Sequence, residues 1–299
     1  MASPSTRMSV LITGCTPGGI GHALAVEFHN QGCHVIATAR NLDVLEELGD
    51  MGMTTLRLDV ADAASVAACR AQVAELTGGR LDILVNNAGR GHTIPALDAD
   101  LDDVRQTYEI NVFGVMNMCQ TFTPLLIPAR GLIINMSSAA SVFPYVFAAV
   151  DSSSKGAVNA YSRVLRMELR PLHVRVMVSM TGTVRSNIAS RPERSLPPGS
   201  LYAPVADYFQ HRLGFSQENA PMPSDRFARR LVRDALRGEP RLWGLVGGSS
   251  DWFWAGGMSF ACWLASCLPN WVTETVADRC FGIGVLTKRI QDAASAKRD

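Results

Sequence analysis

The chain has no Cys-x-x-Cys pair, no block of like charge beyond its last residues, and no apolar run at its start. Its seven cysteines are odd in number and scattered, which excludes a disulfide framework and a cysteine-based zinc site and points to reduced thiols; no metal site is expected. With 28 basic against 27 acidic side chains the formal net charge is +1, and no unbroken Lys/Arg block stands out beyond the short tail Ala296-Lys297-Arg298-Asp299, so nucleic acid is not an expected partner. Met1 to Met8 is a polar lead-in without the apolar segment of a secretory signal, which fits a cytoplasmic location. There is neither an internal repeat nor a low-complexity linker, so 299 residues with 47% hydrophobic content are read as one globular domain.

What is present alternates. The apolar run Ser9-Val10-Leu11-Ile12 ends in Thr13-Gly14, as a buried parallel strand entering a glycine turn does. Helical spacing of Ile20, Leu24, Ala25 and Phe28 follows, stopped by Gly32. Strands are expected over 34–39, 54–58, 81–85, 132–136 and 174–178, with helices over 42–48, 63–76, 101–126 and 152–169 between them. This order specifies an α/β, doubly wound parallel sheet of Rossmann type with helices on both faces. Residues 8–190 form its core; 186–240, where periodicity fades into Pro, Ser, Gly and Arg, read as a substrate lid with one helical piece near 206–213. Ser224 is expected to cap a helix reaching Leu236, and 241–299 form an aromatic-rich extension.

Thr13-Gly14-Cys15-Thr16-Pro17-Gly18-Gly19-Ile20-Gly21 lies between a strand and a helix. Glycines admit the backbone close to a pyrophosphate, and the helix start offers free N–H groups with the positive end of its dipole. At the end of the second strand, Thr38-Ala39-Arg40-Asn41 contains no carboxylate for a ribose hydroxyl, whereas Arg40 suits a 2′-phosphate; NADP(H) is favoured over NAD(H).

The glycine turn, Asp59, Asn86-Asn87-Ala88-Gly89, Asn111, Ser138 and Lys155 together resemble the short-chain dehydrogenase/reductase family over about residues 8–190. Within it, the wording of the turn, the stretch Ala37-Thr38-Ala39-Arg40 and the Trp-rich end are similar to the 1-acyl-dihydroxyacetone-phosphate reductase branch, with its natural-product tailoring relatives. The resemblance implies that Gly14, Thr16, Gly19 and Ile20 hold the pyrophosphate, Asp59 and Val60 flank the adenine, and Asn86, Ala88 and Gly89 line a ribose. Lys155 would hold the nicotinamide ribose. Val184 and Ser186, in a loop where Thr181 replaces the family's proline, would lie near the carboxamide. It further implies a dimer or tetramer and a hydrophobic carbonyl substrate of polyketide, terpenoid or lipid type. Ser138 would polarise that carbonyl and Asn111 would hold a water relay.

One member is missing. Four residues before Lys155, where the resemblance calls for a tyrosine proton donor, stands Asp151. Tyr145, six residues earlier, is too far out of register to substitute and is read as a wall of the substrate pocket. Beside Lys155 the Asp151 carboxyl is expected to be ionised, hence an acceptor; burial in an apolar pocket acts in the opposite direction. Three readings follow: a reductase with altered proton delivery, a non-redox cyclase or isomerase using Asp151 as base or orienting anion, and an inactive cofactor-binding protein.

From Trp252 to Thr273 there is no charged residue. The stretch approaches the length of a membrane span, but Gly256-Gly257 and Pro269-Asn270 interrupt it. An oily substrate portal or a peripheral contact of 252–272 with an intracellular membrane or lipid droplet fits better than a spanning helix.

Overall fold

The computed structural model describes residues 7–186, 194–219, 221–239 and 247–295. Parts of the expected lid (187–193) and of the C-terminal extension (241–246), with the basic tail 296–299, lie outside the described residues.

Seven strands form one parallel sheet: β1 (Ser9–Thr13), β2 (His34–Ala39), β3 (Thr54–Arg57), β4 (Ile83–Asn86), β5 (Leu132–Ser138), β6 (Arg175–Thr181) and β7 (Trp252–Ala255). Their order across the sheet is β3-β2-β1-β4-β5-β6-β7, so the strand order, outward one way from β1 to β3 and the other way from β4 on, reverses between β1 and β4. In such sheets ligands bind at the carboxyl ends of the strands beside that reversal. Helices α1 (Ile20–Asn30), α2 (Glu46–Asp50), α3 (Ala63–Thr77), α4 (Leu101–Tyr108), α5 (Gly114–Leu126) and α6 (Ala149–Leu169) are threaded between the strands. The later helices are α7 (Ala206–Glu218), α8 (Ser224–Ala235), α9 (Ser259–Ser266), α10 (Asn270–Phe281) and α11 (Ile283–Ser295).

Two apolar layers sandwich the sheet because its central strands are buried on both faces. One joins Leu24 and Phe28 of α1 to Phe227, Leu231 and Val232 of α8. The other gathers Leu11, Val66, Val115, Phe122 and Val158. A third, smaller cluster sets Ala139, Phe143 and Tyr145 against Cys262, Ala277 and Phe281, so the C-terminal helices back the loop that leads into α6.

Three expectations need correction. The charge-free stretch 252–273 is not one segment: it supplies strand β7, then α9, then the start of α10. β7 pairs along β6 from Val178↔Trp252 to Thr181↔Ala255, and Phe253 packs edge-on against Phe227, 6.1 Å between centroids. Helix α8 is a wall of the sandwich rather than part of a lid, which reduces the described lid to 194–219. Finally, Pro223 holds the N-cap position of α8 and Ser224 is its first helical residue. The 101–126 helix forms as expected, with a π-turn at Glu109–Phe113; Leu101–Ala129 is long and apolar enough to cross a membrane, but half of it is buried within the protein.

The joint between β6 and β7 depends on backbone contact. The Gly182 N–H donates to Ala255 O at 2.8 Å, and a Cβ at Gly182 would lie 2.1 Å from Gly257 O. Gly182→Ala is therefore expected to lower the urea midpoint by the equivalent of about 1–3 kcal/mol or more. Gly156→Ala, at an open helical position, is expected to add roughly 0.5–1 kcal/mol in the same titration.

Candidate active site

The turn after β1 is built for close backbone approach. Gly14 and Gly18 adopt φ of +74° and +72°, which strongly favours glycine. A Cβ at Gly21 would meet both Gly14 O and Asn87 Nδ2 at 2.4 Å. Asn87 Nδ2 donates to Thr13 O and Gly14 O at 2.8 and 3.0 Å, while Thr13 Oγ1 accepts from the Asn87 and Ala88 N–H groups, both at 2.9 Å. The β4 loop thus fastens the glycine turn. Gly19 caps α1 without a side-chain hydrogen bond, leaving the first N–H groups of the helix open to an anion. Thr16 and Arg40 are exposed beside this turn and at the end of β2. Asp59 accepts the Ala61 N–H at 3.1 Å, and Val60 is buried next to it. These residues fit a dinucleotide.

Asn86 donates from its side chain to Asn135 Oδ1 at 2.8 Å and to Cys119 Sγ at 3.4 Å inside the core, so its Nδ2 is engaged between strands and lining a ribose would fall to its backbone. Asn87, its neighbour, does the fastening. Val184 and Ser186 are bridged by the Gln217 amide of α7, which donates to Val184 O at 3.3 Å and accepts the Ser186 N–H at 3.4 Å. That amide has the same chemistry as the carboxamide expected there, so the loop is suited to such a group.

At the carboxyl ends of β4 and β5 the expected chemical residues converge. Asn111 sits in the π-turn, a helical irregularity common at functional sites. Its amide donates to Arg90 O at 3.0 Å and Ser154 Oγ at 3.1 Å, and its Oδ1 accepts the Arg90 N–H at 2.9 Å. The amide therefore ties α6 to the β4 loop. Lys155 Nζ donates to Met136 O at 3.0 Å, and a Cβ at Gly89 would lie 3.7 Å from Nζ and 3.3 Å from Asn111 Oδ1. Ser138 Oγ accepts the Ala140 N–H at 3.1 Å, leaving its own proton available among the described residues.

Helix α6 begins earlier than the sequence indicates, so Asp151 lies within its first turn, one turn before Lys155 on the same face. Although Asp151 retains some exposed surface, its carboxyl is surrounded by protein. Burial pushes its pKa above the ordinary carboxylate value, outweighing Lys155, Arg212 and the His92 backbone N–H, which all pull it down. Burial likewise lowers Lys155 against the pull of Asp151. Of the two opposing influences named from the sequence, desolvation is the larger and moves both groups toward their neutral forms.

The lid contributes a cation that sequence reasoning missed. Arg212 of α7 donates from Nε to Val146 O at 3.0 Å and lies 4.9, 5.4 and 5.7 Å from the ring centroids of Tyr145, Phe215 and Phe281. Burial of its guanidinium is offset in part by Tyr145 and Asp151. Tyr145 borders a cavity: its phenol is pushed up to about 12 by burial and its ring packs on Phe143 and Phe215. Beyond it lies an apolar pocket of about 580 Å3, bordered by Phe147, Tyr202 and Leu286; Asn111, Ser138, Asp151, Lys155 and Arg212 are not among its lining residues, and it adjoins them through Tyr145, Val146 and Ala149. Nothing in the spacing of α7 separated Arg212 from the solvated arginines around it; only the rings from other elements do so.

Asn111→Ala would strip both Arg90 backbone groups of their partner. A loss of about 1–3 kcal/mol per buried group is expected in urea unfolding. Asn111→Asp, which keeps the accepting oxygen, should lose less.

Comparison with known proteins agrees with this geometry. The short chain dehydrogenase family model matches residues 8–195. A short-chain dehydrogenase of Neurospora crassa is 37% identical over 302 aligned residues, covering 100% of this chain and 99% of the relative. An NADPH-dependent 1-acyldihydroxyacetone phosphate reductase of Schizosaccharomyces pombe is 44% identical over 200 residues, 65% of this chain and 68% of the relative. Among solved structures, a short chain dehydrogenase from Burkholderia cenocepacia in complex with NADP shares the fold at TM-score 0.70 and 22% identity, covering 91% of this chain and 97% of that one. With a turn shaped for a nicotinamide dinucleotide and Ser138, Asn111 and Lys155 gathered at its end, the chain belongs to the short-chain dehydrogenase family.

Proposed function

We propose that the protein is an NADP(H)-dependent reductase of a hydrophobic carbonyl compound, of polyketide, terpenoid or lipid type, in which Asp151 donates the proton as a neutral carboxylic acid. The observation that carries this reading is the burial of the Asp151 carboxyl, which raises its pKa despite two nearby cations. A carboxylic acid kept neutral by an apolar site is a competent hydrogen-bond and proton donor. The absence of a carboxylate after β2, the exposed Arg40, and the NADPH dependence named for the Schizosaccharomyces relative support NADP(H). The apolar pocket beyond Tyr145 supports a hydrophobic substrate.

When bound, the cofactor supplies the hydride for the carbonyl carbon. The free Ser138 hydroxyl proton polarises the carbonyl oxygen, and the Asp151 proton transfers to that oxygen. The carboxylate left behind is stabilised by Lys155 and Arg212 until solvent returns the proton. Lys155, fixed by Met136 O, also orients the ribose.

Arg40→Ala is expected to weaken NADPH binding about ten- to a hundredfold, the loss of hydrogen bonds to a charged group, with little change for NADH. In NADPH-dependent reduction of a medium-chain ketone, Asp151→Asn should lower kcat/KM by about 10² to 10⁴. The acid form is the active one, so wild-type kcat/KM should be flat at low pH and fall as pH rises through the elevated pKa of Asp151. Asp151→Tyr should retain activity and move that fall to higher pH, because a phenol titrates later than a carboxyl. A product isomeric with the natural substrate, formed without NADPH loss, would instead identify an isomerase or cyclase using Asp151 as its base.

A further inference from the structure

We propose that Arg212, held behind two lining residues of the substrate pocket, is its anion-recognising residue, and that the substrate carries a carboxylate on an otherwise apolar body. This deepens the reductase reading and rests on it for the location of the pocket.

Arg212 is anchored at one point only. Nε donates to Val146 O at 3.0 Å, while Nη1 and Nη2 have no hydrogen-bond acceptor among the described residues. Arg289, near the other end of the lid, shows the contrast: it holds the Asp207 carboxylate at 2.7 and 3.0 Å in the open. A largely enclosed guanidinium with no carboxylate hydrogen-bonded to it is costly to keep, and Tyr145 and Asp151 offset its desolvation only in part. The rings of Tyr145, Phe215 and Phe281 fix its position without neutralising it.

Its charge is unbalanced whichever group holds the shared proton. With Asp151 ionised and Lys155 protonated, Arg212 is the surplus cation; with both neutral, Arg212 remains charged, as guanidinium groups do in proteins. In every case with a proton on the pair, the trio carries at least one net positive charge. Tyr145 and Val146, the ring and the carbonyl that hold Arg212, also line the apolar pocket with Phe147, Tyr202, Leu286 and Ile290. A planar, bidentate cation beside an apolar cavity matches an ionised carboxylate on a hydrocarbon-rich molecule. The anion would be held beside the acid that protonates the carbonyl, so Arg212 would select and orient the substrate without carrying the proton.

The test measures binding, using decanoate and 1-decanol as probes of equal chain length, by calorimetry on the NADP+-loaded protein. Decanoate is expected to bind at least about tenfold tighter than decanol. Arg212→Met should weaken decanoate about ten- to a hundredfold while leaving decanol and NADP+ affinities unchanged. Arg212→Lys, which keeps the charge but loses the planar fork, should fall between. Decanoate binding no tighter than decanol, including no saturable binding of either, would overturn the proposal. So would an equal loss of both probes in Arg212→Met with NADP+ binding intact. Because no probe is reduced, these outcomes are independent of whether Asp151 donates a proton.

Discussion

Desolvation of the Asp151 carboxyl is the constraint around which this site is arranged. A carboxylate beside a lysine one helical turn away is ordinarily stabilised as an ion. Here the carboxyl is surrounded by protein, and the cost of removing a charge from water exceeds the attraction of Lys155 and Arg212. The same enclosure lowers Lys155, so the pair shares a tendency toward neutrality. The shift is toward the acid form, at the helical position where the family resemblance places a phenol.

The enclosure has identifiable sources. The β4 loop and α4 are locked together around His92, whose ring Nδ1 lies 2.8 Å from Thr107 Oγ1 and whose backbone N–H reaches Asp151. Asp103 collects Arg90 and, from the lid, Arg194 at 3.0 Å, which draws the start of the lid toward the same loop. On the opposite side the C-terminal helices press Phe281 and Cys262 against Tyr145 and Phe143. The Trp-rich extension thus adds a strand to the sheet and then forms part of the pocket wall. Phe260, Trp263 and Trp271 remain on its outer side, at 71%, 42% and 70% exposure.

Local periodicity made the first six strands, the glycine turn and the helix carrying Lys155 legible, because each is a short segment with one strong signal. Where the sequence reading failed, the deciding contacts were distant. Trp252 to Ala255 reads as the beginning of an oily tail until β6 offers it a partner edge. Helix α8 reads as lid until Phe227 and Leu231 meet α1. Asn86 and Asn87 are adjacent and chemically identical, and only strand geometry decides which faces the core and which holds the turn. The charge of Asp151 depends on Arg212 of α7 and on the β4 loop, neither of which spacing can place. Arg212 escaped for the same reason.

The central claim is that Asp151 carries a proton near neutral pH. Difference infrared spectroscopy of the NADP(H)-loaded protein against Asp151→Asn, titrated from acid to alkaline pH, observes that proton directly through the carboxylic-acid carbonyl band. The account predicts a carboxylic-acid signal that persists well above the ordinary aspartate range and is absent in Asp151→Asn. A carboxylate signal alone throughout that range, with the acid band appearing only near the ordinary aspartate pKa of about 3.9, would contradict it.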